Sequence, residues 1–247
     1  EQVAGHLFVR GSIGTSGALW FTLDTGASFS LLDEACARRL GIALAPGRPI
    51  SGAGGTEHAL RARDVVLQLA GVELRQRELD VLPLESLRRA LGRDVDLVLG
   101  YELWSRFVVE IDPVAKEIRL RDPESWIYDG KGESIPITLI ESQPYVDVQL
   151  ELPGVGRVDV QCVVDTGSGS TLILQGDFVE RHRLREKLGP ILPLRAGGVG
   201  GEFDMGIGRL PSLRVGSLEI ERPLVLLGGQ GEFAERGRAG NIGCRFL

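Results

Sequence analysis

Two aspartates, Asp24 and Asp165, stand in near-identical surroundings 141 residues apart. The first follows Phe21-Thr22-Leu23 and leads into Thr25-Gly26-Ala27-Ser28. The second follows Val163-Val164 and leads into Thr166-Gly167-Ser168-Gly169. Each is an apolar strand delivering a carboxylate to a turn of small residues. Brought together, two such carboxylates share one proton, because like charges about 3 Å apart cannot both ionise near neutrality. The ionised partner can take a proton from water while the protonated one donates to a carbonyl oxygen, without metal or covalent intermediate. One Asp-Thr-Gly alone is most often a turn. Two copies in register with other landmarks are a different matter.

Those landmarks repeat. Glycine-rich tips lie at Gly52-Ala53-Gly54-Gly55 and at Gly197-Gly198-Val199-Gly200-Gly201, each between two strand-like runs. The spacing predicts hairpins over residues 48–62 and 192–207. From aspartate to hairpin centre the distances are 29 and 34 residues. From aspartate to the glycine closing Val98-Leu99-Gly100 and Asn241-Ile242-Gly243 they are 76 and 78. Both halves read strand, aspartate strand, helix, glycine hairpin, two strands, apolar-Gly loop, an internal duplication. Alternating apolar residues predict strands over 3–10, 18–23, 65–69 and 74–82, and in the second half over 134–140, 145–150, 157–164 and 218–227. Asp33 predicts the N-cap of a helix over 34–40 that Gly41 ends. A longer helix is expected over 177–188, and the charged, Gly- and Pro-containing run 121–133 is the expected linker. The fold class is all-β with short helices.

In these motifs the chain resembles the pepsin/retropepsin superfamily of aspartic peptidases. The resemblance implies two similar lobes, 1–125 and 132–247, with the active site at their interface and Asp24 and Asp165 catalytic. Thr25 and Thr166 would bond across to the other half's backbone, and Gly26 and Gly167 would let backbone approach the carboxylates and offer them N–H donors. Three residues after each aspartate stand Ala27 and Ser168; the resemblance implies that a hydroxyl there donates to its own aspartate. Gly52, Ala53 and Gly54, with Gly198, Val199 and Gly200, would form flaps over an extended peptide. Neither tip carries a tyrosine, and two flaps with small apolar tips are similar to retropepsins rather than to pepsin. Neither tip lies between a strand and a following helix, as a phosphate cradle would. Strand alternation puts Thr22 and Val163 on the face of the aspartates. With Val98 and Asn241 they are the expected pocket walls, core packing being the alternative for each. The implied activity is that of an aspartic endopeptidase; the alternative is a catalytically silent peptide-binding or regulatory module of the same fold. Counterparts of the strands at 107–111 and 117–120 are missing from the second half, so either the chain is cut short or the N-terminal strand takes their place.

Composition narrows the partners. The 247 residues carry a net charge of −6 with scattered Lys and Arg, an unpromising surface for nucleic acid or anionic membrane. Apolar runs such as Pro223-Leu224-Val225-Leu226-Leu227 are strand-length, far below the ~18 residues of a spanning helix. Cys36, Cys162 and Cys244 lack CxxC spacing and are expected as buried free thiols, which leaves the compartment open. His6, His58 and His182 are isolated, so neither metal nor cofactor is expected. Ser168 and Ser170 lack a Gly-x-Ser-x-Gly elbow. The charges at Asp33/Glu34 and 180–187 are expected to be solvated helix faces. Both motifs lie in one chain, so a monomer is expected. The chain begins at Glu1 rather than Met, and an upstream segment is expected.

Overall fold

Short alternating strands joined by glycine turns build the molecule, a computed structural model that describes residues 1–229 and 238–247. The first half runs β1 (Gln2–Val3), β2 (His6–Ile13), β3 (Leu19–Leu23), β4 (Leu31–Asp33), α1 (Glu34–Arg39) and β5 (Ala45–Gly52). It continues through β6 (Gly55–Leu69), β7 (Val72–Leu82), α2 (Glu85–Leu91), β8 (Leu97–Leu99) and α3 (Tyr101–Trp104). A separate hairpin of β9 (Val108–Asp112) and β10 (Glu117–Arg121) follows. The second half begins with β11 (Thr138–Ile140), β12 (Gln143–Leu152), β13 (Gly156–Asp165) and β14 (Leu172–Leu174). Then come α4 (Gly176–Arg181), α5 (Leu184–Lys187), β15 (Leu192–Gly198) and β16 (Gly201–Arg209). The described residues end with β17 (Ser212–Val215), β18 (Leu218–Glu221), β19 (Leu224–Leu227) and β20 (Gly240–Gly243).

The fold is all-β with short helices, in two sheet bodies. Among the described residues, one sheet of eight strands holds β1 to β8, and one of ten holds β11 to β20. Their centres match. β3 lies parallel to β8, β8 antiparallel to β4, and β4 parallel to β7. In the second sheet β13, β20, β14 and β19 repeat those three relations in that order. The strand carrying each aspartate therefore runs beside the strand that closes its half. Thr22 pairs with Val98, and Val163 with Asn241. Each sheet has its own core: Phe21, Leu23, Leu67 and Leu97 in one, Val148, Leu150, Leu172 and Val225 in the other. Burial of the apolar strand face, at about 25 cal/mol per Å², is what holds each body together.

Helix α1 forms as its sequence predicts. Asp33 caps it, accepting from the Cys36 amide at 3.0 Å, and Gly41 follows with φ +69°. Asp33 is nevertheless no solvated charge. It is fully buried and also accepts from the Leu84 amide and from Arg88 Nη1, at 3.0 and 2.8 Å. Capping, burial and a paired guanidinium go together here, since an unpaired buried carboxylate would be costly. The single helix expected over 177–188 is broken into α4 and α5 by Arg183, whose φ is +53°. The strand expected over 218–227 is split at Arg222-Pro223, where Arg222 has φ +51° and proline has no amide to donate. The strand expected over 134–140 shortens to β11. β1 pairs with β2, and β2 with β3 and β6, so the N-terminal strand stays in the first sheet and does not extend the second. In the first half, β9 and β10 lay Val109, Ile118 and Leu120 against the core.

Candidate active site

Each aspartate sits where its strand ends in a tight turn, and the two turns meet at the contact between the sheets. Thr25 Oγ1 donates to the Val164 carbonyl at 2.6 Å, and Thr166 Oγ1 donates to the Leu23 carbonyl at 2.9 Å. Each hydroxyl also accepts the other threonine's amide: Thr25 N to Thr166 Oγ1 at 3.1 Å and Thr166 N to Thr25 Oγ1 at 2.9 Å. Four reciprocal bonds thus clamp one turn to the other. A hydroxyl is needed at this position because one group must both donate and accept.

The glycines explain themselves by space. A Cβ on Gly26 would stand 2.7 Å from Asp165 Cγ, and one on Gly167 would press into the Asp24 carboxyl. Each Asp-Thr-Gly glycine is therefore the floor on which the opposite carboxylate rests. Asp24 Oδ1 accepts the Ala27 amide at 3.0 Å, and the Gly26 amide also bonds its carboxyl. Asp165 Oδ1 accepts the Gly167 amide at 2.9 Å. The two carboxyl groups therefore face each other across the paired turns, and each shifts the other's ionisation.

Burial and then the charge of Asp165 hold Asp24 well above the usual carboxyl range. Burial also raises Asp165, but Asn241, Asp24 and the Gly167 amide pull the other way. A raised folded-state pKa stabilises the fold below the ordinary carboxyl value and loses that contribution as pH rises through the folded value. Asp24→Asn, which has nothing to ionise, is therefore expected to melt above wild type at neutral pH. The gap should shrink as pH falls from the raised folded-state value of Asp24 towards about 4 and be gone below that, and each kcal/mol should appear as about 2–4 °C. Thermal melts of both proteins from pH 3 to 8 check this; a gap independent of pH would disprove it.

A cavity of about 1190 Å³ spans the dyad and is roofed by both hairpins. The tips interlock: the Gly54 amide donates to the Val199 carbonyl at 2.8 Å, and Val199 packs on a cluster containing Ile50 and Val98. Gly52 and Gly198 lie against Val199 and Ala53 of the opposite hairpin, and Gly200 lies against Gly55. The second hairpin is also tethered to α2, where Ser86 Oγ donates to the Gly198 carbonyl at 2.8 Å. A Cβ on Gly54 would run into the Gly201 backbone. Gly54→Ala is thus expected to pry the tips apart as well as stiffen one of them, raising KM several-fold with little change in Tm. Peptide-cleavage kinetics beside a melt decide it, and unchanged kinetics in a stable variant would show that the tips do not gate the cleft.

Of the four expected pocket residues, Thr22, Val98 and Asn241 line the cavity. Val163 is fully buried and outside the lining. Thr22 Oγ1 donates to the Leu7 carbonyl at 3.3 Å. Ser168 differs from expectation. Its hydroxyl pairs with Ser170 Oγ at 2.8 Å, and its amide donates to the main-chain carbonyl of Asp165, not to the carboxylate. The side chain on Asp165 Oδ2 is Asn241, whose Nδ2 donates at 2.7 Å. Two more groups were missed from the sequence. Gln143 at the start of β12 donates to the Gly26 carbonyl, and Arg238 Nη1 donates to Gln143 Oε1 at 2.8 Å. His6, at the start of β2, mirrors this by bonding Gly167. Nothing local marks these residues; their equivalence follows only once the strands are paired. All three cysteines are free thiols, with Cys36 and Cys162 buried and Cys244 partly so.

Residues 9–103 match the family described as aspartyl protease. A retropepsin-like aspartic protease from Rickettsia conorii is a similar solved structure, at 25% identity over 43% of this chain and 76% of that one, with a TM-score of 0.33. A search of curated proteins found no match. The family match covers most of the first sheet body, and the second body repeats its central strand topology. They support a protease-like, hydrolytic function. No helix among the described residues is long and apolar enough to cross a membrane.

Proposed function

We propose that this protein is an aspartic endopeptidase in which Asp24 and Asp165 activate water against the carbonyl of an extended peptide held beneath two flaps. The observation that carries this is a pair of carboxylates on equivalent turns, each seated on the other's Asp-Thr-Gly glycine, with the turns clamped by reciprocal threonine bonds. The lobes are 1–125 and 132–247, and one chain is the active unit because it contains both carboxylates. The ionised member takes a proton from water, whose oxygen bonds to the carbonyl carbon. The protonated member gives its proton to the carbonyl oxygen, producing a neutral gem-diol. Collapse breaks the C–N bond as the first carboxyl passes its proton to the leaving nitrogen and the second recovers one from a diol hydroxyl. No cofactor takes part.

Thr22, Val98 and Asn241 flank the scissile bond in this scheme. The flap tips, Gly52 to Gly54 and Gly198 to Gly200, bind substrate through their backbone, as an added strand would. Cleavage of a denatured protein from acid to neutral pH, sensitive to pepstatin and absent in Asp24→Asn, is the expected result. Binding of unfolded chains without cleavage at any pH would instead establish the silent peptide-binding module.

A further inference from the structure

The two halves of the dyad are built differently, and the difference lies in the closing strands. Three residues after Asp24, the Ala27 amide reaches the carboxylate; three after Asp165, the Ser168 amide is turned to the main-chain carbonyl. Asp165 is thus short of one donor relative to Asp24. The neighbouring strand replaces it. Val163 pairs with Asn241 in the register in which Thr22 pairs with Val98, so Asn241 and Val98 are equivalent positions on β20 and β8. Val98 is apolar and 2% exposed; Asn241 is 9% exposed and donates Nδ2 to Asp165 Oδ2 at 2.7 Å. Three residues earlier the same contrast recurs: Val95 is fully buried in the first half, and Arg238 stands in its place in the second.

We infer that Asn241 is a positioning residue that, with Arg238, fixes the negative charge of the dyad on Asp165 and leaves the shared proton on Asp24. This rests on the hydrolytic reading and assigns its roles: Asp165 takes the proton from water and Asp24 is the acid. A donor held against one oxygen of a buried carboxylate favours its charged form, and a buried amide facing a protonated oxygen would lose that gain. Other groups facing Asp165 do not offset this. The coupling to Asp24 pulls the Asp165 carboxyl down, in the same direction as Asn241. His6 bonds the Gly167 backbone, with burial pulling its pKa down, and the Cys244 thiol, pushed up to about 11 by burial, stays neutral. Arg238 adds positive charge on the same side.

The test is direct titration of carboxyl carbons in protein labelled with 13C-aspartate, the two signals being assigned with Asp24→Asn and Asp165→Asn. In wild type the first ionisation should be seen at Asp165. In Asn241→Val, which copies Val98, that step should rise by about one to two pH units and be shared with Asp24. The acidic limb of kcat/KM should move with it. Unchanged titration of both carbons in folded Asn241→Val would overturn the inference. If that variant does not fold, Val98→Asn serves in its place. It gives Asp24 an equivalent donor and should lower the first ionisation and draw charge towards Asp24; no change there would overturn the inference equally. The titration does not depend on turnover. A wild type that titrates as expected yet cleaves nothing would sink the hydrolytic reading alone, and cleavage with a titration blind to residue 241 would sink this one alone.

Discussion

Asp24→Asn and Asp165→Asn should each lower kcat/KM for peptide cleavage by at least about 10³-fold, to background. Proton transfer by one positioned carboxyl contributes about 10²–10⁴-fold. Here the two carboxyls trade a single proton, so losing either removes both the base and the acid. The double variant should accordingly be no worse than either single one, since groups acting as a unit are not additive. An amide is nearly the size of a carboxyl and can still accept from the Gly167 and Ala27 amides, which bond the acids now. The fold should therefore persist, and for Asp24→Asn gain at neutral pH. Measured kcat/KM of three variants beside wild type, with a melt of each, checks this. Near-normal turnover in either single variant would end the dyad mechanism. Two single losses that add in the double variant would mean that the carboxyls act separately.

The second large effect belongs to the clamp. Thr166 is 3% exposed, and its hydroxyl donates to the Leu23 carbonyl while accepting the Thr25 amide. Thr166→Val keeps the shape and leaves both backbone groups buried and unpaired. Each such group costs about 1–3 kcal/mol, so a loss of roughly 2–6 kcal/mol is expected. At about 2–4 °C per kcal/mol, Tm should fall by at least about 5 °C. Activity should fall further than stability. The same bond sets the distance between the two turns, and an error of about 1 Å at a reacting group can cost 10²-fold. Thr166→Ser restores the hydroxyl and should recover most of both. Denaturant unfolding and kinetics on the pair measure it. Thr166→Val with wild-type Tm and turnover would show that the sheets are aligned by other contacts. Those would include the one between Ser28 Oγ and the Glu141 carbonyl.

Much of this was legible in the residues themselves. Asp-Thr-Gly twice, glycine tips at matched distances and apolar-Gly triplets at matched distances require two copies of one local plan. Local plans are dictated by short-range chemistry: alternation for strands, Asp33 for a helix start, glycine for turns. Hence α1 and both hairpins follow from sequence order alone. Element ends were less legible. Arg183 and Arg222 adopt positive φ and break a helix and a strand where neither residue type signals it, because tertiary packing overrides a weak local preference.

What only the tertiary structure decided is which groups meet across the two sheets. Ser168 and Asn241 were both candidates beside Asp165, one three residues away and the other 76. The resemblance pointed to the serine, but its hydroxyl is taken by Ser170. The asparagine reaches the carboxylate because β20 lies parallel to β13 in a register that puts residue 241 beside residue 163. Asp33 tells the same story in reverse: a charge read as solvated is buried because Leu84 and Arg88 arrive from 51 and 55 residues away to satisfy it. The sequence determines that two carboxylates are presented on equivalent turns. How unequal those carboxylates are depends on strand register, because a hydrogen bond is decided by tenths of an ångström between atoms that the chain order does not place.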